Sequence, residues 1–153
     1  MILRGPGFDR PRVVSDLVSL VDVAPTLLET AGIEVPQSMQ GASFLRLSRG
    51  DSSGWRNEVL VHTSEAELGR TIRTEQWKYC VFDPASKPAG VPHSLRYVER
   101  YLYDLKSDPH EHVNLIGRRE YRSVADELRD RLLARLTAIG EPTPQIEPAR
   151  FYA

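Results

Sequence analysis

Four histidines, His62, His93, His110 and His112, are the side chains of this chain best suited to proton transfer near neutral pH. His110 and His112 flank Glu111 in a spacing that suggests a metal site. In an extended segment, however, alternate side chains point apart, and a turn fixes no ligand geometry, so the pair reads as a solvated turn. His62 closes a strand pattern and is followed by Thr63 and Ser64. Side chains at strand ends often line clefts, which makes His62 a candidate ligand contact beside the plainer reading of a hydrogen-bonded strand-end histidine. Asp104, Asp108 and Glu111 form an acidic cluster of the kind that holds calcium. Asp108-Pro109 directly after a strand is turn chemistry, with the aspartate capping nearby N–H groups, and the turn reading is the stronger. Arg70, Arg73 and Lys78 recur along an expected hairpin, either to meet an anionic substrate or as the wet face of a sheet.

No nucleophile elbow, Walker-type loop or dinucleotide fingerprint occurs. The one cysteine, Cys80, excludes an internal disulfide. Tyr79 and Val81 flank it in an apolar run, which predicts a buried strand residue and not a reactive thiol. These residues define no catalytic centre and no metal site.

The elements that would position them follow from periodicity. Residues 1–16 read as the end of a strand and a loop. Leu20, Val23, Ala24, Leu27, Leu28 and Ala31 recur at helical spacing and predict a short helix over 19–31, ended by Gly32, with these residues as its apolar face. Ser19 and Asp22 resemble a capping box, and Pro25 favours Asp22 as the N-cap with the proline in the first turn. Residues 34–57 are irregular. Strands are predicted at Glu58–Thr63, Leu68–Thr74, Trp77–Phe82 and Tyr101–Leu105, with a Glu75-Gln76 hairpin and a loop over 83–96. Val124, Leu128, Leu132, Leu136 and Ile139 give one stripe on a helix over Arg119–Ile139. Pro142, Pro144 and Pro148 keep the tail extended. The expected fold is α+β: a four-stranded, mainly antiparallel sheet packed by a long C-terminal helix and preceded by a short helix and loop.

The chain has 153 residues, 20 Lys plus Arg against 21 Asp plus Glu, and a formal net charge of -1. That length builds one sizeable core, and the balanced charge supports neither a nucleic-acid nor a membrane partner. No stretch is apolar and long enough to cross a bilayer, and residues 1–6 lack a signal peptide's apolar core. A cytoplasmic location is the expectation if the chain is made as given.

Two segments are more specific than composition. Leu17–Ile33, with Asp22, Pro25, Thr26 and Gly32 followed by Pro36 and Gly41, resembles the helix segment late in sulfatases. Ile72-Arg73-Thr74-Glu75-Gln76-Trp77-Lys78-Tyr79, then Tyr103-Asp104-Leu105, Asp108-Pro109-His110-Glu111 and Asn114-Leu115, is similar to the C-terminal subdomain of the same arylsulfatase-like family, within the alkaline phosphatase superfamily.

The resemblance implies that residues 1–50 end a catalytic α/β domain and that 51–153 form the C-terminal subdomain. It also implies that Asp22, Pro25, Thr26, Gly32, Tyr103, Asp104, Asp108, Pro109, Glu111 and Asn114 are structural. Sulfatases use calcium and a formylglycine made within a Cys/Ser-x-Pro/Ala-x-Arg motif. This chain has no such motif, since Cys80 is followed by Val81, Phe82 and Asp83, and it lacks the family's paired Asp and Asp-Asn metal ligands. Both groups are therefore expected only in an intact parent, and this chain alone is expected not to be catalytic. Substrate contacts, if this part makes any, would come from His62, Arg70 and Arg73. The expected partner is the missing catalytic half or a second copy bound through the 20–31 helix face. A stand-alone interaction module, or the corresponding part of a phosphodiester or phosphonate ester hydrolase, are the competing readings.

Overall fold

A computed structural model describes residues 1–85 and 91–151. They form two compact units, residues 1–57 and the remainder from Glu58 onward.

In the first unit a 3-10 turn at Leu20–Asp22 leads into α1, Val23–Thr30, and a short helix α2 follows at Leu45–Ser48. Asp22 is the N-cap of α1 and Pro25 lies in its first turn, where a missing N–H costs no helical hydrogen bond. The Ser19 N–H donates to Asp22 Oδ2 at 2.7 Å. Gly32, at φ +70°, takes the left-handed conformation that ends the helix. The burial of α1 is one-sided. Asp22, Pro25 and Thr26 are its buried residues, while Leu20 (87% exposed) and Leu27 (58%) of the predicted apolar face lie in solvent. The apolar stripe that periodicity marks is thus largely the open side, and within this unit Asp22, Pro25 and Thr26 make the packed one.

The second unit is a five-stranded sheet in the order β1-β2-β3-β4-β5. The strands are β1 Glu58–Thr63, β2 Leu68–Thr74, β3 Trp77–Asp83, β4 Arg96–Asp104 and β5 Gln145–Glu147. The first four pair antiparallel and β5 joins β4 in parallel. The expected four-stranded sheet is thus corrected to five, because part of the proline-rich tail pairs with the edge of β4. Three residues are too few to show strand periodicity, so only tertiary pairing reveals them. β4 also begins five residues earlier than expected. Residues 86–90 of the predicted 83–96 loop lie outside the described residues.

Helix α3 runs Arg122–Ala138 after a 3-10 turn at Arg119–Tyr121. Its buried line is Ala125, Leu128, Leu132 and Leu136, with Val124 and Ile139 of the predicted stripe partly buried against the same core. These side chains meet Leu68, Ile72, Tyr79, Val81, Tyr97 and Leu102 of the sheet, with Leu115 and Ile116, in one core.

Strand β4 carries an extra residue against β3: Cys80 faces Tyr101, while the next β3 residue, Val81, faces Glu99. Arg100 is that bulged residue. Side chains alternate along a regular strand, so without the bulge Glu99 and Leu102 would face opposite sides. With it, both are buried, Leu102 opposite Tyr79 and Glu99 opposite Val81. The bulge frees backbone groups, and Asn114 satisfies them: its Nδ2 donates to Arg100 O at 2.9 Å and its Oδ1 accepts from Leu102 N at 3.0 Å.

Glu99 then gathers donors from three other segments. It accepts from Tyr79 Oη at 2.9 Å, from both Arg122 terminal nitrogens at 2.6 and 2.7 Å, and from Ala149 N at 2.9 Å. Its removal leaves those donors facing an apolar interior. We expect Glu99→Ala to destabilise this unit by about 3 kcal/mol. The loss should appear as a lower urea midpoint followed by Trp77 fluorescence in a Trp55→Phe background.

Candidate functional site

The first constellation lies at one end of the second unit's sheet. His62 is the next-to-last residue of β1 and pairs in register with Arg70 of β2. Arg70 is 1% exposed, so its charge must be met internally. Its Nε and one terminal nitrogen donate to Glu141 at 3.1 and 2.9 Å; its terminal nitrogens also donate to Pro92 O at 2.6 Å and Gly69 O at 2.8 Å. The ring of Tyr97 lies beneath it, with the guanidinium carbon 6.0 Å from the centroid. An arginine so committed is not open to a ligand.

His62 differs: it is 43% exposed on its side chain, with Nε2 3.8 Å from Glu141 Oε1. Partial burial, then the Arg70 charge, hold its pKa below the ordinary value, with Glu141 opposing them. A depressed histidine takes up its proton at higher pH in the unfolded chain than in the folded one. Its contribution to stability is therefore present above the unfolded value and is lost as pH falls through the folded value.

The structure brings His62 and Arg70 together and leaves Arg73 apart. Arg73 lies three residues along β2 from Arg70, hence on the other face of the sheet, and is exposed. Lys78, its neighbour in register on β3, pairs with Glu111 at 2.6 Å and sits over the Tyr103 ring. Glu141 was missed in the sequence. It stands 71 residues from Arg70, just beyond the glycine that ends α3, and no local pattern links the two.

The second constellation is the turn after β4. The Asp108 carboxylate accepts from Val113 N at 2.8 Å, and this bond, with one from His112, holds its pKa below the usual carboxylate range. Asp104 accepts from Lys106 N at 3.1 Å, and Tyr103 stacks on Tyr101 at 5.8 Å. Glu111 adopts φ +59°, follows Pro109 by two residues and reaches Lys78. The rings of His110 and His112 lie 5.8 Å apart at 62°. Among the described residues no group of three or more His, Cys, Asp or Glu is placed to hold a metal ion. The acidic cluster does not fit calcium; its carboxylates serve backbone N–H groups and a lysine.

Cys80 does not fit a formylglycine precursor. It lies half-buried between strands, 3.0 Å from Thr71 Oγ1, and burial pushes its thiol pKa up.

The third constellation belongs to the first unit. Asp22 is fully buried; it accepts from Ser19 N and from Ala42 N (2.9 Å) and pairs with Arg56. Thr26 Oγ1 donates to Asp22 O at 2.6 Å and accepts from Phe44 N at 3.0 Å. Arg46 and Arg56 each lie over the Trp55 ring, whose Nε1 donates to Leu17 O at 2.8 Å. The approach of residues 41–44 to this centre requires Gly41, since a Cβ there would stand 1.9 Å from Val21 O.

Comparison with known proteins gives these constellations their context. Residues 1–138 match the model of the N-sulphoglucosamine sulphohydrolase C-terminal family. Bovine (Bos taurus) arylsulfatase K is 31% identical over 131 residues, which span 77% of this chain and 22% of that protein. The solved structure of BT4656 in complex with its substrate D-glucosamine-2-N,6-O-disulfate is 28% identical with a TM-score of 0.65, covering 80% of this chain and 25% of that one. The phosphonate monoester hydrolase of Agrobacterium radiobacter shares the fold, with a TM-score of 0.60 at 24% identity, over 82% of this chain and 26% of that one.

The fold is that of a sulfatase C-terminal region. The chain belongs to the N-sulphoglucosamine sulphohydrolase C-terminal family, and it spans about a quarter of the length of the relatives it matches.

The Asp22 centre yields a direct test. A methyl group at position 41 must displace backbone, and we expect Gly41→Ala to destabilise the first unit by about 3 kcal/mol. Trp55 fluorescence in a Trp77→Phe background should report the lower urea midpoint.

Proposed function

We propose that this chain serves as the C-terminal part of a sulfuric ester hydrolase and carries no complete catalytic centre of its own. The observation that carries this reading is the packing of α1. Leu20, Val21, Leu27 and Ile33 are exposed large apolar side chains on or beside that helix, while its polar side is buried. An apolar face of this kind is covered when a larger partner is present. The partner we assign is the catalytic α/β half that the family resemblance implies. Calcium and formylglycine would belong to that half. In the joined protein this part would buttress the cleft and offer side chains to its rim, with His62 and Arg73 the open candidates. The shared fold of a phosphonate monoester hydrolase supports a second reading, in which the joined protein cleaves phosphonate or phosphate esters.

We expect the purified chain with calcium to leave a chromogenic aryl sulfate and an aryl phosphonate ester unhydrolysed. Turnover that survives repurification would sink the proposal. Light scattering supplies the second measurement: a well-folded strict monomer argues against self-association through the α1 face.

A further inference from the structure

His62, Arg70 and Glu141 form a cluster in which only one member is open. Arg70 is buried and spends two of its N–H groups on Glu141, which fixes that carboxylate to the sheet. Glu141 in turn presents Oε1 to His62 Nε2 at 3.8 Å, inside ion-pair range and outside hydrogen-bond range. A neutral imidazole gains little from that separation. A protonated one is drawn to the carboxylate through Nε2–H, which leaves Nδ1–H as the ring donor not engaged by Glu141.

We propose that Glu141, anchored by Arg70, is a positioning residue for His62, and that the protonated ring so held is a pH-gated hydrogen-bond donor to a ligand oxyanion. This rests on the proposed function for the choice of oxyanion, a sulfate group. The charged groups facing His62 are Arg70 from β2 and Glu141 from the segment after α3, with the Tyr97 phenol of β4 beneath Arg70. Burial, then Arg70, disfavour the charged ring, and Glu141 favours it. Glu141 therefore raises the pH at which the donor becomes available above where burial and Arg70 alone would leave it, and anion binding and proton uptake support each other by linkage.

The test uses the full chain and inorganic sulfate, followed by the ring resonances of the four histidines in NMR titrations. We expect sulfate to perturb His62 selectively, with a dissociation constant that rises about tenfold per pH unit above the His62 midpoint. His62→Gln should abolish the response. Glu141→Gln should lower the His62 midpoint and weaken sulfate binding at fixed pH by about threefold or more. Should that variant unfold through the unpaired Arg70, Glu141→Asp carries the comparison, because it keeps the charge partner while drawing the carboxylate back from the ring. An unmoved His62 midpoint in a folded Glu141 variant, or no sulfate effect at His62, overturns the assignment. Failure of the parent reading would appear elsewhere, as ester turnover by the chain alone, a measurement independent of the His62 midpoint.

Discussion

A carboxylate taken out of water must be met by donors on every side, and in the second unit that requirement falls on Glu99. The charge is tolerable there only because Tyr79, Arg122 and the Ala149 N–H converge on it. Each donor comes from a different segment: β3, the start of α3 and the tail beyond β5. Satisfying one ion therefore fixes where the helix starts across the sheet and where the tail runs. The same residue faces inward only because β4 bulges at Arg100, and the bulge is sealed by the Asn114 amide. Chain order places Asn114 after the turn that Asp108 caps, so the turn, the bulge and the buried ion are one dependency.

The first unit solves a similar problem with Asp22. Its carboxylate collects the Ser19 and Ala42 N–H groups and the Arg56 guanidinium, while Thr26 links the helix to Phe44. These polar contacts draw one side of α1 inward, and the apolar residues turn outward as a consequence. A short helix cannot bury both sides in a unit this small. The polar side carries the hydrogen bonds that would be costly to lose, whereas exposed leucines cost only unburied area.

Much of the fold was legible in the sequence because it rests on local signals. The three strands from Glu58 to Phe82 and the hairpin at Glu75-Gln76 follow from alternation and turn chemistry, and α3 follows from its leucine stripe. What escaped depends on distant partners. β5 is three residues long and forms only because the β4 edge is available. The inward packing of the polar side of α1 is set by donors at residues 42 and 56, far from the helix in sequence. Of the three residues put forward as ligand contacts, Arg70 and His62 do meet, which their strand positions could not show before register was fixed. Arg70 proved internally committed because Glu141 lies beyond a helix and a glycine stop, where no spacing rule reaches.

The residues that carry the family resemblance act mainly on backbone. Asn114 seals a bulge, Asp108 caps a turn, Asp22 and Thr26 hold passing strands of chain, and Gly41 makes room for one of them. None of these roles involves a reacting group. A sequence match built on such positions reports a scaffold, and the scaffold is shared with an enzyme named for phosphonate esters as well as with sulfatases. Chemistry specific to this chain must therefore come from side chains the scaffold leaves unspent. By that criterion Arg70 is set aside by its own hydrogen bonds, while His62 and Arg73 keep exposed side chains.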